Sequence, residues 1–319
     1  MQPEPLTLVD AIRHFADPDV TLQTMVELRW PTGVCCPTCG RTDVRFIPTR
    51  RLWECKERHA KRQFSAKVGT IFEDSPISLD KWFVALWMVA NCKNGVSSYE
   101  VHRALGVTQK SAWFMLHRIR LAMQVGSLMK ADGTVEADET FVGGLAKNMH
   151  KERRERTIKG TGGAGKAIVM GILERKGRHE ASRVRARVIA NCLGVTLQEQ
   201  VRAVVTPGSS VFTDAHAGYG GLDADYEHAV VDHAVEYVNG QVHTNGLENF
   251  WSLLKRTLKG TYISVEPFHL FRYLDEQAFR FNERKGTDCG RFKALLSAIV
   301  GKRLTYKELI GNDIAATTA

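Results

Sequence analysis

Thr134-Val135-Glu136-Ala137-Asp138-Glu139-Thr140-Phe141-Val142 reads as a β-strand and sets Asp138 inside it. It opens a series. Ala167–Leu173 and Val184–Ile189 read as two further strands, Val195–Ala203 as a helix, Ser210–Thr213 as a short strand ending at Asp214, and Leu247–Leu258 as a helix. Carboxylates recur along the series at Asp138, at Asp214 and, 34 residues later, at Glu248. Each alone is unremarkable, because an Asp at a strand end more often caps a following helix than binds a metal.

The order of the elements ties the three acids together. Three strands, a helix, a fourth strand and a later helix give the order of a ribonuclease-H-like α/β domain, in which the first and fourth strands are neighbours. Asp138 and Asp214 are then expected to meet, and the later helix brings Glu248 to them. Three hard oxygen ligands that leave positions open suit Mg²⁺ or Mn²⁺. Two such ions, about 4 Å apart, serve in-line displacement at phosphorus. Lys255 lies seven residues beyond Glu248, nearly two helical turns, so both fall on one face. Arg256 and Lys259 add positive charge nearby. The competing reading of this helix is plain amphipathicity, with Phe250, Leu253 and Leu254 turned to a core.

Working outward, the 319-residue chain is long enough for several domains, and 44% hydrophobic with 25% charged residues fits an ordinary globular protein. Its longest clean apolar run, Trp82 to Ala90, is too short to span a bilayer. The N-terminus has no basic-then-apolar pattern, so the expected location is the cytoplasm, without a membrane partner. The formal net charge of +9 favours a polyanionic partner. Between the first two strands, Lys147–Lys166 carries seven Lys or Arg against two Glu and reads as a basic loop, either solvated or touching DNA.

Four of the seven cysteines cluster early. Cys36-Pro37-Thr38-Cys39 is a tight-turn knuckle that aims two thiolates at one metal, and Cys55 and His59 follow. Cys36, Cys39, Cys55 and His59 would close a tetrahedral, structural zinc site. His59 stands one residue late, because position 58, where a second Cys-x-x-Cys would end, is Arg; Cys35 is the alternative ligand. Ser98–Leu105, Gly106-Val107 and Thr108–Arg120 have helix-turn-helix proportions. Gln109, Lys110 and Ser111 would then stand where a recognition helix meets base edges, and Arg118 and Arg120 would contact phosphates. Trp113 and Leu116 read as core. The expected organisation is multidomain α+β: residues 1–77 with a zinc ribbon, 78–130 a helix-turn-helix domain, 131–285 the ribonuclease-H-like catalytic domain, and 286–319 a C-terminal tail.

These residues resemble the zinc-ribbon DDE transposases of bacterial insertion sequences over nearly the whole chain. The resemblance begins at Arg29-Trp30-Pro31 and includes Gln63-Phe64-Ser65 and Gly69-Thr70-Ile71-Phe72. Asp138-Glu139-Thr140 with Gly143-Gly144, Thr213-Asp214 with Tyr219, and His243-Thr244-Asn245 with Glu248, Phe250-Trp251 and Lys255 are similar to the family's three catalytic blocks. Phe279-Arg280-Phe281-Asn282 is similar to its closing segment. The resemblance implies Asp138, Asp214 and Glu248 as catalytic metal ligands, with Lys255 as helper. Asn245 is an auxiliary candidate, because some relatives carry Asn in place of the third acid. It further implies binding to terminal inverted repeats and target DNA, and assembly of more than one protomer on DNA.

The expected activity is metal-dependent phosphoryl transfer on double-stranded DNA: cleavage that leaves a 3′-hydroxyl, then attack of that hydroxyl on a target phosphodiester. The alternatives are a ribonuclease-H-like nuclease that only hydrolyses, and a retired transposase kept as a DNA-binding regulator. A binder alone has no need of Asp138, Asp214, Glu248 and Lys255 together.

Overall fold

A computed structural model describes residues 4–124, 130–144, 151–152, 155, 165–176, 180–231 and 242–311. The basic segment 147–166 falls almost wholly outside the described residues. Two compact units divide the chain, residues 1–124 with 286–319 and residues 125–285.

The first unit opens with two helices that the zinc-ribbon reading of residues 1–77 did not anticipate, α1 (Leu8–Phe15) and α2 (Pro18–Arg29). A Thr7–Asp10 capping box starts α1, and Asp17 with Pro18 starts α2. A three-stranded antiparallel sheet follows, β1 (Val44–Ile47), β2 (Leu52–Cys55) and β3 (Gln63–Phe64), in the order β1-β2-β3. The apolar α3 (Leu79–Asn91) comes next. Ser78 holds its N-cap position but makes no side-chain cap hydrogen bond. Then come α4 (Ser98–Leu105), started by a Ser97–Glu100 capping box, and α5 (Gln109–Met123), capped by Thr108. Gly106 ends α4 with φ +61°, a left-handed turn that favours glycine.

Residues 286–311 are not a tail. A helix over Asp288–Ser297 inserts Phe292 beside Phe15, Phe83 and Trp87, with ring centroids 5.4–6.0 Å apart. Asn91 ties its first turn through Asp288 O and Arg291 Nε. Arg118 is buried: its guanidinium donates to the carbonyls of Leu304, Ile71 and Glu73 at 2.8–3.1 Å and lies over Phe114. Arg120 is 1% exposed. The helix-turn-helix reading expects both arginines at phosphates, and their burial contradicts it, since neither side chain presents its charge to solvent.

The second unit is a five-stranded sheet covered on both faces. In chain order it contains β4 (Thr134–Val142), β5 (Ala167–Glu174), β6 (Arg183–Ile189), α6 (Gly194–Val204), β7 (Ser210–Asp214), β8 (Glu227–Val231), α7 (Asn245–Thr257) and α8 (Leu270–Asn282). The strand order is β6-β5-β4-β7-β8. β4–β5 and β5–β6 are antiparallel, whereas β4–β7 and β7–β8 are parallel. Val135 and Ala137 of β4 pack with Leu197 and Val201 of α6. On the opposite face Val169, Leu173 and Val184 pack with Leu247, Phe250, Trp251 and Leu254 of α7 and with Leu270 and Leu274 of α8. Asn282 closes the unit with two backbone bonds to Val184, which pins the end of α8 to β6.

The Arg118 geometry predicts a specific phenotype. Arg118→Ala leaves three carbonyls without their shared charged donor and should cost on the order of 3 kcal/mol of stability. In a thermal melt the variant should unfold earlier. The salt dependence of DNA binding should keep its slope, whereas loss of a phosphate contact would lower the slope by about one.

Candidate functional site

The ladder between β4 and β7 pairs Thr134 with Ser210, Val135 with Val211 and Glu136 with Phe212. Two residues further along each strand stand Asp138 and Asp214. Side chains alternate along a strand, so both acids point to the face that Glu136 uses. Neighbouring strands lie about 4.8 Å apart, which brings the Asp138 carboxylate, midway along β4, toward that of Asp214 at the C-terminal end of β7.

Asp138 is held from two sides. Its Oδ1 accepts the Glu139 N–H at 2.8 Å, and its Oδ2 accepts the indole N–H of Trp251 at 2.8 Å. The indole reaches it only because β5 carries Gly171 opposite Asp138; a Cβ there would sit 2.7 Å from Trp251 Cζ2. Burial raises the Asp138 pKa to about 6, and the neighbouring charges of Asp214 and Glu139 add to the shift against the Trp251 hydrogen bond. Glu139 points to the other face, where Tyr219 donates to it at 2.7 Å and His216 lies 3.9 Å away. Burial raises its pKa too, and Asp214 contributes. The Asp214 Oδ1 accepts the His216 N–H at 3.2 Å.

On α7, Trp251 marks the level of Asp138. Glu248 is one turn before it and Lys255 one turn after, so the three form a row along the helix. Asn245 opens the same helix, and both Asn245 and Glu248 are exposed. Among the described residues, Asp138, Asp214 and Glu248 do not gather within 4.8 Å of one another.

The helix itself is placed by a residue that the sequence analysis passed over. The Thr244 side chain makes no cap hydrogen bond to the helix. Glu136, 1% exposed, instead accepts the Leu247 N–H at 2.9 Å, supplying the anion that a helix N-terminus favours. Gly246 lets the turn approach, since a Cβ there would lie 2.8 Å from the Glu136 carboxylate. Arg175 Nε binds the other Glu136 oxygen at 2.7 Å, and its Nη2 binds His243 at Nδ1 and at the carbonyl. Period-two spacing from Asp138 is the signal in the sequence that could have found Glu136.

In the first unit, the ligand atoms of Cys36, Cys39, Cys55 and His59 all lie within 4.8 Å of one another. Cys36 Sγ is 3.5 Å from His59 Nε2, and Cys39 Sγ is 3.6 Å from Cys55 Sγ. Tetrahedral zinc with Zn–S of about 2.3 Å requires S···S near 3.8 Å and S···N near 3.5 Å, so this donor set fits the ion. His59 Nδ1 donates to the Ala60 carbonyl, which leaves the Nε2 lone pair free to face the thiols. Cys35 stands outside the cluster. Behind it Trp53 packs on Trp30 and Phe64, a small apolar support for the hairpin.

At the start of α5, Lys110 is exposed, with its Nζ 4.7 Å from the Tyr306 ring centroid. Gln109 is half-buried and spends its amide N–H on Ser98, while Ser111 accepts from Thr108. No helix among the described residues is long and apolar enough to cross a membrane.

The zinc geometry makes a prediction. Purified protein should carry about one zinc per chain by metal analysis, and Cys36→Ser or Cys55→Ser should lose it. Full zinc content in Cys55→Ser would contradict this ligand set.

The comparisons agree with this geometry. Residues 130–282 match the ISXO2-like transposase domain, and residues 18–60 match the transposase zinc-ribbon domain. A protein of Halobacterium salinarum, described as an uncharacterized protein in transposable element ISH50, is 26% identical over 260 residues, which spans 77% of this chain and 85% of that one. Two transposase domains matched in chain order, one over the assembled Cys/His cluster and one over the sheet that carries Asp138 and Asp214, establish that the chain belongs to the zinc-ribbon transposases of insertion sequences.

Proposed function

We propose that the chain binds the ends of a DNA element, cleaves them and joins the resulting 3′-hydroxyl to target DNA, with Asp138, Asp214 and Glu248 as the metal-holding acids. The observation that carries this reading is the placement of Asp138 and Asp214 at one level and on one face of neighbouring parallel strands. The strand order, with only the β4–β5 and β5–β6 pairs antiparallel, supports a ribonuclease-H-like fold for the second unit. Both aspartates are short, hard-oxygen donors held close against their mutual repulsion, a donor set that fits Mg²⁺ or Mn²⁺. Two such ions, when bound, would stabilise the attacking and leaving oxygens of an in-line displacement.

The chain's own residues do the rest. Trp251 and the Glu139 N–H fix the Asp138 rotamer, so that little rearrangement is needed on binding. Lys255, one turn from Trp251, draws the scissile phosphate toward the acids and orients it. Glu248 sits at the opposite end of the row, with Asn245 beside it in the same first turn. In the first unit, α4 and α5 with the Gly106 turn support a helix-turn-helix reader. Lys110 is its freest contact with DNA, and Gln109 must release Ser98 to reach a base. Double-stranded DNA is the partner, with protomers assembled on it.

The raised Asp138 pKa gives a test with two readouts. In the folded chain the ionised acid is disfavoured, so a penalty is absent below about pH 4 and fully present above about pH 6. Without divalent metal, Asp138→Asn should therefore be more stable to denaturant than the parent at pH 8, by on the order of 2 kcal/mol, and the gain should vanish at pH 4. With Mg²⁺ or Mn²⁺, Asp138→Asn and Asp214→Asn should lose cleavage by at least about 10²-fold while band shifts with element ends persist. A fully cleaving Asp138→Asn protein would overturn the reading.

A further inference from the structure

The turn that leaves β7 starts at Asp214 and is held by hydrogen bonds along its length. Asp214 Oδ1 accepts the His216 N–H at 3.2 Å, and His216 Nδ1 in turn accepts the Gly218 N–H at 3.0 Å. From α6, Gln198 Nε2 donates to the Gly218 carbonyl at 3.1 Å and to the Gly220 carbonyl at 2.6 Å. Between those two carbonyls comes Tyr219, 1% exposed, whose hydroxyl donates to Glu139 Oε2 at 2.7 Å.

That last bond joins two segments 80 residues apart in the chain. Glu139 follows Asp138 on β4 and, with side chains alternating, faces away from it onto the α6 side of the sheet, where Val135 and Ala137 also point. Its side chain is only 8% exposed, and His216 Nε2 lies 3.9 Å from Oε1. A carboxylate buried to that extent needs a donor, and Tyr219 supplies it. Packing alone would be served as well by Leu at 139 and Phe at 219, which bury no charge. What the pair adds is direction and distance: the turn after Asp214 is fastened to the strand that carries Asp138. The Asp214 carboxylate takes its orientation from the His216 N–H, and the His216 N–H takes its place from that turn.

We propose that Glu139 and Tyr219 are positioning residues for Asp214: their hydrogen bond clasps the turn after β7 to β4, keeps the His216 N–H on Asp214 Oδ1, and so presents the carboxylate to the site it shares with Asp138. This rests on the reading of Asp138 and Asp214 as metal ligands. Glu139 itself holds no metal in this arrangement, although it stands next to one of the ligands. Metal sites commonly orient their ligands through such outer partners, and loss of one weakens metal binding by about 10–100-fold.

The test uses the zinc-loaded full chain and Mn²⁺ as the probe. Calorimetric Mn²⁺ titration, melting temperature, band shift and Mn²⁺-dependent cleavage are measured for the parent, Tyr219→Phe, Glu139→Gln, the double variant Glu139→Leu/Tyr219→Phe, and Asp214→Asn. Tyr219→Phe keeps the ring and removes only the clasp, so it should bind Mn²⁺ about tenfold or more weakly, with band shifts unchanged and cleavage regained at high Mn²⁺. Glu139→Gln removes the charge but keeps an oxygen for the Tyr219 hydroxyl, so it should bind Mn²⁺ more tightly than Tyr219→Phe does. Should Tyr219→Phe unfold through its stranded acid, the double variant, which removes acid and hydroxyl together, decides the matter and should show the same weakened affinity. Parental Mn²⁺ affinity in a folded Tyr219→Phe or double variant would overturn the proposal and leave the pair a purely structural contact. A loss in Glu139→Gln equal to or greater than that in Tyr219→Phe would also overturn it, by showing that the charge of Glu139 serves the metal directly. Parental Mn²⁺ affinity in Asp214→Asn would instead overturn the ligand reading itself, a separate failure.

Discussion

Three pairs of parallel ladder, Thr134–Ser210 to Glu136–Phe212, fix the register on which the site depends. A slip of one residue would turn Asp138 or Asp214 to the opposite face. The register is held because β4 is buried on both sides. Val135 and Ala137 are locked into the α6 core, and any slip would exchange them for Glu136 and Asp138. The price of this arrangement is two acids kept close together in a partly desolvated place, which is why the Asp138 pKa is pushed up to about 6. Stability is sacrificed at Asp138, a pattern expected of functional sites.

A second constraint places α7. A helix N-terminus without a side-chain cap leaves donors to be satisfied, and Glu136 meets one of them from the neighbouring strand. Its charge would be costly alone at 1% exposure, and Arg175 offsets it. Glycines at 171 and 246 give the helix its close approach, one beneath Trp251 and one beside Glu136. The carboxylate on β4 thus fixes the helix that carries Glu248, Trp251 and Lys255, and strand and helix meet at the level of Asp138.

Much of this was legible in the sequence. The strand at Thr134–Val142, the strands near Ala167 and Val184, the Asp214 strand end and the helix with Glu248 and Lys255 were readable because each has a strong period bounded by turn residues. The Cys36, Cys39, Cys55 and His59 spacing was readable because metal geometry restricts it. Other features were not. The edge strand Glu227–Val231 begins with a charged and an imidazole residue and carries little alternation. Residues 286–319 are expected to form a tail, and only the tertiary fold shows the helix at Asp288–Ser297 burying Phe292 in the aromatic core. Arg118 and Arg120 follow the same logic: a charged residue in a basic helix suggests DNA, until three backbone carbonyls are found around Arg118. Spacing can flag Glu136 as a residue, but the long-range pairings of Glu136 with Leu247 and of Trp251 with Asp138 leave no local signal.

The central claim is that one carboxylate site performs both cutting and joining. The most direct measurement offers the protein pre-cleaved element ends bearing a free 3′-hydroxyl, with supercoiled target DNA and Mg²⁺, and follows the covalent joining of end to target. Joined products formed by the parent chain and absent with Asp214→Asn are the predicted result. Hydrolysis of uncut ends without any joining of pre-cut ones would contradict the account and leave a nuclease in its place.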